Sequence, residues 1–377
     1  MPQLPTIYLD NNATTRLDER VLDVMLPYFT DFYANAGSSH LAGLQIQEDV
    51  ENAAWQTANL IGAKEEEIIF TSGATESINL AIKGLVNENK KHIVTVATEH
   101  KAVLETCRYM ESIGFHVTYL PVASDGILDI NLLNEVIITK TLIVIVMLTN
   151  NETGVIQDIA KMADLARAKN ALFLCDATQA IGKISIDVKK LGIDLLALSA
   201  HKFYGPKGVG ALYISAEAKI KLTPLLNGGS QQRKLRSGTL NIPGIVGLGK
   251  ASEIAVLEID KDYNRIILLR GQLENGLLKI EGSFVNGNTQ NRICNTTNIC
   301  FPGVNSEKLI LALQNISVSN GSSCLSVTSQ PSHVLKALGL SDSAALSSIR
   351  FSLGRFTTEE EIEETIERVT ALIAQLR

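Results

Sequence analysis

Cysteine is scarce in this chain, and its spacing excludes two architectures. Five cysteines (Cys107, Cys175, Cys294, Cys300 and Cys324) form an odd set with no C-x-x-C pair, which argues against a disulfide framework and a structural zinc site. Long apolar runs are also missing: the longest, residues 142–148, falls far short of the roughly 18 residues a membrane helix needs. The opening Met1-Pro2-Gln3-Leu4-Pro5 has neither a basic n-region nor an apolar h-region. No stretch gathers five or six like charges, and 34 basic against 40 acidic residues leave a formal net charge of −6. That removes the electrostatic footprint of a nucleic-acid or anionic-lipid binder. The expectation is a soluble, cytoplasmic protein that engages neither nucleic acid nor membrane. What the chain does have is bulk: 377 residues, 45% of them hydrophobic, suffice for two or three domains of roughly 150 residues each.

Five short apolar runs, at residues 68–70, 93–96, 142–148, 172–174 and 195–198, alternate with segments of helical length at 76–86, 102–113 and 159–169. This pattern predicts an α/β layer with a mostly parallel central sheet, whose ligands sit beyond the carboxyl ends of the strands. Residues 248–278 lack proline and read as a long helix leading out of this layer. A smaller α+β unit follows, with strands near 297–301 and 348–353. Its last helix opens at Thr358-Glu359-Glu360-Glu361, a capping box. The expected division is a large domain over residues 16–250 and a small α+β domain built from 1–15 and 251–377. Two polar stretches, 227–239 and 317–329, read as loops.

Three signals carry chemistry. Phe70-Thr71-Ser72-Gly73-Ala74-Thr75-Glu76 is a strand ending in a glycine turn that opens a helix, a geometry that aims backbone N–H groups and the positive helix end at a phosphate. Asp176 ends a strand expected to be buried, where a carboxylate needs a cationic or hydrogen-bonding partner. Ser199-Ala200-His201-Lys202 follows another strand and supplies an amine. A phosphate cradle, a buried acid and a lysine together suit pyridoxal 5′-phosphate. The lysine bonds its aldehyde, and the acid keeps its pyridine nitrogen protonated so that the ring can accept carbanion electrons.

Eight segments then resemble, in order and approximate spacing, one family. They are Asp10-Asn11-Asn12-Ala13-Thr14-Thr15, Thr71-Ser72-Gly73-Ala74-Thr75-Glu76-Ser77, Thr98-Glu99-His100-Lys101, Asn150-Asn151-Glu152-Thr153-Gly154, Asp176-Ala177-Thr178-Gln179, Ser199-Ala200-His201-Lys202, Arg236-Ser237-Gly238-Thr239 and Ser348-Ile349-Arg350-Phe351. The family is the group I cysteine desulfurases of NifS/IscS type, within the class V aminotransferase-like enzymes, and the resemblance covers nearly the whole chain. It implies a fold-type I PLP-dependent transferase that takes sulfur from L-cysteine. Lys202 would hold the cofactor covalently, Asp176 would pair with its pyridine nitrogen, and His100 would stack on the ring and take part in proton transfer. Gln179 would hydrogen-bond the ring oxygen, while Ala74, Thr75, Ser199 and His201 would cradle the phosphate. Thr239 would reach the phosphate of a neighbouring subunit, making a homodimer with a composite site. Asn151 and Arg350 would hold the substrate carboxylate, for which a bidentate guanidinium is suited. Cys324, in a serine-rich loop, would be the nucleophile that takes the sulfur, with His100 assisting, since the thiolate is the reactive form.

The resemblance implies no metal of the chain's own, although Cys324 could contact a nascent iron–sulfur cluster, and it implies a sulfur-acceptor or scaffold protein as partner. Three departures stand out. Asn35-Ala36-Gly37-Ser38-Ser39-His40 lacks the proline the family commonly has there, Gln231-Gln232-Arg233 replaces its His-Glu-Arg, and the sequence ends at Arg377 without the extension with which housekeeping members engage a scaffold. A selenocysteine lyase and a class V aminotransferase remain alternatives on the same fold. A non-catalytic subunit would lack Lys202 or Cys324, and both are present.

Overall fold

The computed structural model describes residues 6–85, 89–321 and 330–377. A short strand, β1 (Ile7–Tyr8), precedes the seven of the main sheet: β2 (Ile68–Thr71), β3 (His92–Val96), β4 (His116–Leu120), β5 (Thr141–Met147), β6 (Leu172–Asp176), β7 (Leu195–Ser199) and β8 (Gly210–Ile214). They lie in the order β2-β8-β7-β6-β5-β3-β4. The five strands from β7 to β4 pair in parallel, and β8 runs antiparallel to both β7 and β2. The fold is α/β with a mostly parallel sheet. Two reversals return β2 to the direction of β7, so its carboxyl end shares one sheet edge with those of the parallel strands.

The five apolar runs fall in β2, β3, β5, β6 and β7. β4 is the edge strand, with an exposed His116 and polar Thr118, and carries no continuous apolar signal. Inside the sheet, successive residues feed opposite faces. Val94, Val144, Val146, Phe173, Leu196 and Leu198 join one core with the helices Leu41–Leu60 and Ile159–Ala168. Ile93, Ile143, Ile145, Leu174, Leu195 and Ala197 join another with Ala74–Lys83 and Lys101–Ser112. Full burial of each of the valine, leucine, isoleucine and phenylalanine side chains contributes about 1.5–3 kcal/mol. This period-2 division is what a sheet covered by helices on both faces requires.

The long helix runs over Ile242–Leu277, starting six residues before the proline-free stretch suggested. Pro243 lies in its first turn, where a missing N–H costs nothing, and the Asn241 side chain accepts from Gly244 N–H at 3.2 Å. At 1.5 Å per residue its 36 residues span about 54 Å. Ile245, Leu248 and Ile254 therefore pack against the main sheet, while Leu269, Leu273 and Leu277 enter a separate core. That second core holds Ile7 and Leu9, the antiparallel strands β9 (Phe284–Val285), β10 (Thr296–Cys300) and β12 (Ser348–Ser352), and the final helix Glu359–Leu376. β11 (Ile316–Ser317) pairs in parallel with β1, which ties the start of the chain to this core. The capping box at Thr358 and Glu361 is present. No described helix is long and apolar enough to cross a membrane.

Candidate active site

One cavity of about 480 Å³ opens where β2, β6 and β7 end. Two glycines shape its first wall. Gly73 takes φ 152°, and a Cβ on Gly210 of β8 would stand 2.7 Å from the Gly73 Cα and 2.4 Å from the Leu198 carbonyl oxygen. Without those side chains the helix Ala74–Lys83 starts flush against the sheet. No described side chain caps its first turn. Its free N–H groups and positive dipole end are thus left for a ligand, with Ala74 and Thr75 lining the cavity beside Ser199 and His201. Thr14 also lines it and bonds the His201 Nδ1 at 3.1 Å. Desolvation, then Lys202 and Lys207, push the His201 pKa down to about 4, so this imidazole is neutral at pH 7.

Lys202 ends the 3₁₀ turn after β7, and its Nζ donates to the carbonyls of Asn12 and Ala13 at 2.5 and 2.8 Å. Desolvation, followed by the nearby Arg350 guanidinium, pushes its pKa from 10.5 down to about 8, against the pull of Asp176 and Asp10. Asp176 is the buried last residue of β6, and its Oδ1 accepts the Thr178 N–H at 2.9 Å and the Thr178 hydroxyl. Gln179 donates from Nε2 to the Asn12 carbonyl at 2.9 Å, beside Lys202. His100 also lines the cavity and caps the helix Lys101–Ser112, its Nδ1 accepting from the Ala102 N–H at 3.1 Å. Desolvation is the largest influence lowering its pKa. With Nδ1 committed as an acceptor, the neutral ring carries its proton on Nε2.

A profile of the class-V aminotransferase family matches residues 7–365. The chain belongs to the class-V aminotransferase family. It is 49% identical over 377 positions to the cysteine desulfurase IscS of Pasteurella multocida strain Pm70, covering 98% of this chain and 93% of that protein. It is 47% identical to the cysteine desulfurase IscS of Rickettsia prowazekii strain Madrid E, covering 98% of this chain and 92% of that one. A solved structure described as a NifS-like protein is similar with a TM-score of 0.93 and 38% identity, covering 98% of this chain and all of the other.

In this class-V chain, Ala74, Thr75, His100, Asn151, Asp176, Gln179, Ser199, His201 and Lys202 all line the one cavity. Three residues named from the sequence stand apart. Thr239 is exposed and does not line the cavity. Its loop is nonetheless tied to the cradle, because Arg236 Nε pairs with the Glu76 carboxylate at 3.0 Å and Glu76 also accepts the Ser72 N–H at 2.7 Å. Arg350, on β12, lies just behind the cavity wall, donating to the Asn151 carbonyl at 3.0 Å and pairing with Asp10 at 2.5 Å. Its fork is therefore engaged by a carboxylate of the chain itself, and its Nε has no described partner. Cys324 lies outside the described residues.

The described chain on either side of Cys324 reaches this same site. Ser319 and Arg350 exchange backbone hydrogen bonds, at 3.2 and 2.6 Å. Ser332 donates its hydroxyl to the buried Glu152 carboxylate at 2.5 Å, next to Asn151, and desolvation raises that carboxyl to about 7. The sequence reading gave no role to Asn12, Thr14 or Asp10. The Asp10-to-Thr15 segment supplies the carbonyls under Lys202 and the partner of Arg350, and its motif was the one signal available for them.

Proposed function

We propose that this class-V chain is a pyridoxal 5′-phosphate-dependent L-cysteine desulfurase that converts L-cysteine to L-alanine and leaves the sulfur on Cys324 as a persulfide. The observation that carries the reading is the convergence of an uncapped helix start, a buried acid and a lysine of lowered pKa on one cavity. These groups fit the cofactor: residues 73–75 with Ser199 and His201 match its phosphate, Asp176 its pyridine nitrogen, Gln179 its ring oxygen and Lys202 its aldehyde. When bound, pyridoxal phosphate supplies an electron sink for the pair left at the substrate Cα after proton loss.

The chain's residues do the rest. Asp176 holds the proton on the pyridine nitrogen, and Arg350 and Asn151 hold the substrate carboxylate. Lys202, displaced by the substrate amine, takes the Cα proton at Nζ, a task its lowered pKa suits. His100 carries a transferable proton on Nε2. The Cys324 thiolate attacks the substrate sulfur, the carbon–sulfur bond breaks with its electrons passing to carbon, and proton return yields alanine. Cysteine and one enzyme thiol thus become alanine and one enzyme persulfide. Purified protein incubated with the cofactor, L-cysteine and a reductant should release alanine and sulfide in equal amounts. Keto acid without alanine would instead indicate a transaminase, and strong preference for selenocysteine a selenocysteine lyase.

Substrate binding must contend with Asp10, which already occupies the Arg350 guanidinium. Asp10→Asn frees that fork, so the apparent KM for L-cysteine should fall about tenfold, equivalent to ~1.4 kcal/mol, with kcat little changed. An unchanged or raised KM in initial-rate measurements counts against Arg350 as the carboxylate site.

The enzyme works as a homodimer in which Thr239 completes the partner's phosphate site. Exposed Leu26, Phe29, Tyr33, Leu41 and Trp55, between 52 and 85% accessible, support an apolar face awaiting a second copy. Dilution to monomer should therefore release the cofactor, as followed by its absorbance alongside sedimentation; equal retention by monomer and dimer would exclude a composite site. The separate core around Ile299, Phe351 and Val369 supports a division into a large domain, residues 16–250, and a small one, 1–15 with 251–377. The persulfide sulfur passes, in the cytoplasm, to iron–sulfur cluster assembly or another acceptor protein.

A further inference from the structure

Lys183 is the only buried lysine among the described residues, and it forms no ion pair with any described carboxylate. A buried ammonium without a counter-ion costs several kcal/mol, and a methionine of similar reach would fill the space without that penalty. Packing alone therefore does not account for it. The turn after β6 places it: Gly182 takes φ 68° where a Cβ would stand 2.7 Å from the Phe203 Cβ, and the chain folds back so that Lys183 lies under Gln179.

Both hydrogen bonds of the Lys183 Nζ go to Gln179, at 2.9 Å to its backbone oxygen and 3.4 Å to Oε1. The Lys183 Nζ donates in both contacts, so the amide atom facing it is oxygen. The Asn12 carbonyl can only accept, so the atom facing it, at 2.9 Å, is the NH2. The two constraints agree and leave the amide one orientation. Around Lys183 the charged and titratable groups are Lys202, Arg350 and Cys294, with Tyr204 and Asp262 across a small cavity. Desolvation first and Lys202 second push its pKa down to about 7.

We propose that Lys183 is a positioning residue for the cofactor, holding the Gln179 oxygen back so that the amide offers its NH2, and never its oxygen, to the cofactor's ring oxygen. This rests on the pyridoxal phosphate reading above. Lys183 touches neither cofactor nor substrate and acts only through Gln179. A donor at the ring oxygen stabilises its anionic form. Losing that donor raises the pH at which the bound cofactor's absorbance changes.

The test loads wild type, Lys183→Met, Gln179→Leu and the double variant with pyridoxal phosphate and follows the absorption spectrum against pH. Lys183→Met should move the midpoint upward by about one pH unit, Gln179→Leu at least as far, and the double variant no further than Gln179→Leu alone. Lys183→Arg, which keeps a donor, should restore the wild-type midpoint. A Lys183→Met midpoint equal to wild type, with only lowered thermal stability, overturns the inference, as do additive shifts in the double variant. Should Lys183→Met fail to fold, Lys183→Leu, which likewise carries no donor, is read in the same way. A wild-type protein that takes up no pyridoxal phosphate overturns the cofactor reading itself, an outcome distinct from an ordinary spectrum that Lys183 does not influence.

Discussion

Replacing Cys324 with alanine should stop alanine formation while leaving cofactor binding intact. Lys202, Asp176 and Arg350 are unchanged in that variant, so the bound cofactor's absorbance and its response to L-cysteine should persist. Alanine output should fall roughly a thousandfold or more, the scale on which removal of a nucleophile acts. The other four thiols are poor substitutes. Cys107, Cys175, Cys294 and Cys300 are all buried. Desolvation pushes Cys107 up to about 12 and Cys294 to about 11, and raises Cys175 and Cys300 as well, so none offers a thiolate near neutral pH. In the wild type, mass spectrometry after L-cysteine and before reductant should find one extra sulfur on the peptide holding Cys324. That sulfur on any of the other four, or near-normal alanine output from Cys324→Ala, would mean that the nucleophile is misassigned even if the cofactor is right.

What could be read from the sequence follows from how locally each feature is encoded. β5 is legible because both its faces are buried, which forces an unbroken apolar run. β4 is not, because an edge strand is free to alternate His116, Thr118 and Tyr119 with its buried Val117 and Leu120. Pro243 masks the start of the long helix, since a proline breaks a helix interior but suits a first turn. The cradle, Asp176 and Lys202 are each encoded within one strand-end motif, so each could be named before any fold was known. Pairs far apart in the chain have no such signal. Nothing near Arg350 announces Asp10, 340 residues away, and nothing in Gly182-Lys183 announces a buried amine under Gln179. The sequence motifs identify the groups that act, and the fold supplies the groups that hold them.

Lys202→Ala should remove the covalent link to the cofactor and most of the turnover, while weak, noncovalent binding survives. The geometry predicts both halves. The phosphate cradle at Ala74, Thr75, Ser199 and His201 and the acid at Asp176 do not depend on the lysine. The amine, by contrast, is specialised. With its pKa lowered from 10.5 to about 8, roughly a quarter of Lys202 is uncharged at pH 7.5, about two hundred times the free-amine fraction of an ordinary lysine. An uncharged amine is what both bonding to an aldehyde and removing a Cα proton require. Labelling of the cofactor-free wild type with an amine-reactive reagent should therefore reach half its maximum at Lys202 near pH 8, while solvated lysines respond well above that. Borohydride treatment of the loaded wild type should fix the cofactor to the peptide holding Lys202, and the variant should yield no such adduct. Lys183 is the informative competitor, because its pKa is also lowered, to about 7, yet it is buried under Gln179 and does not line the cavity. An adduct on Lys183, or one that persists in Lys202→Ala, would show that a low pKa rather than access to the cavity selects the amine, and the assignment of Lys202 would fall.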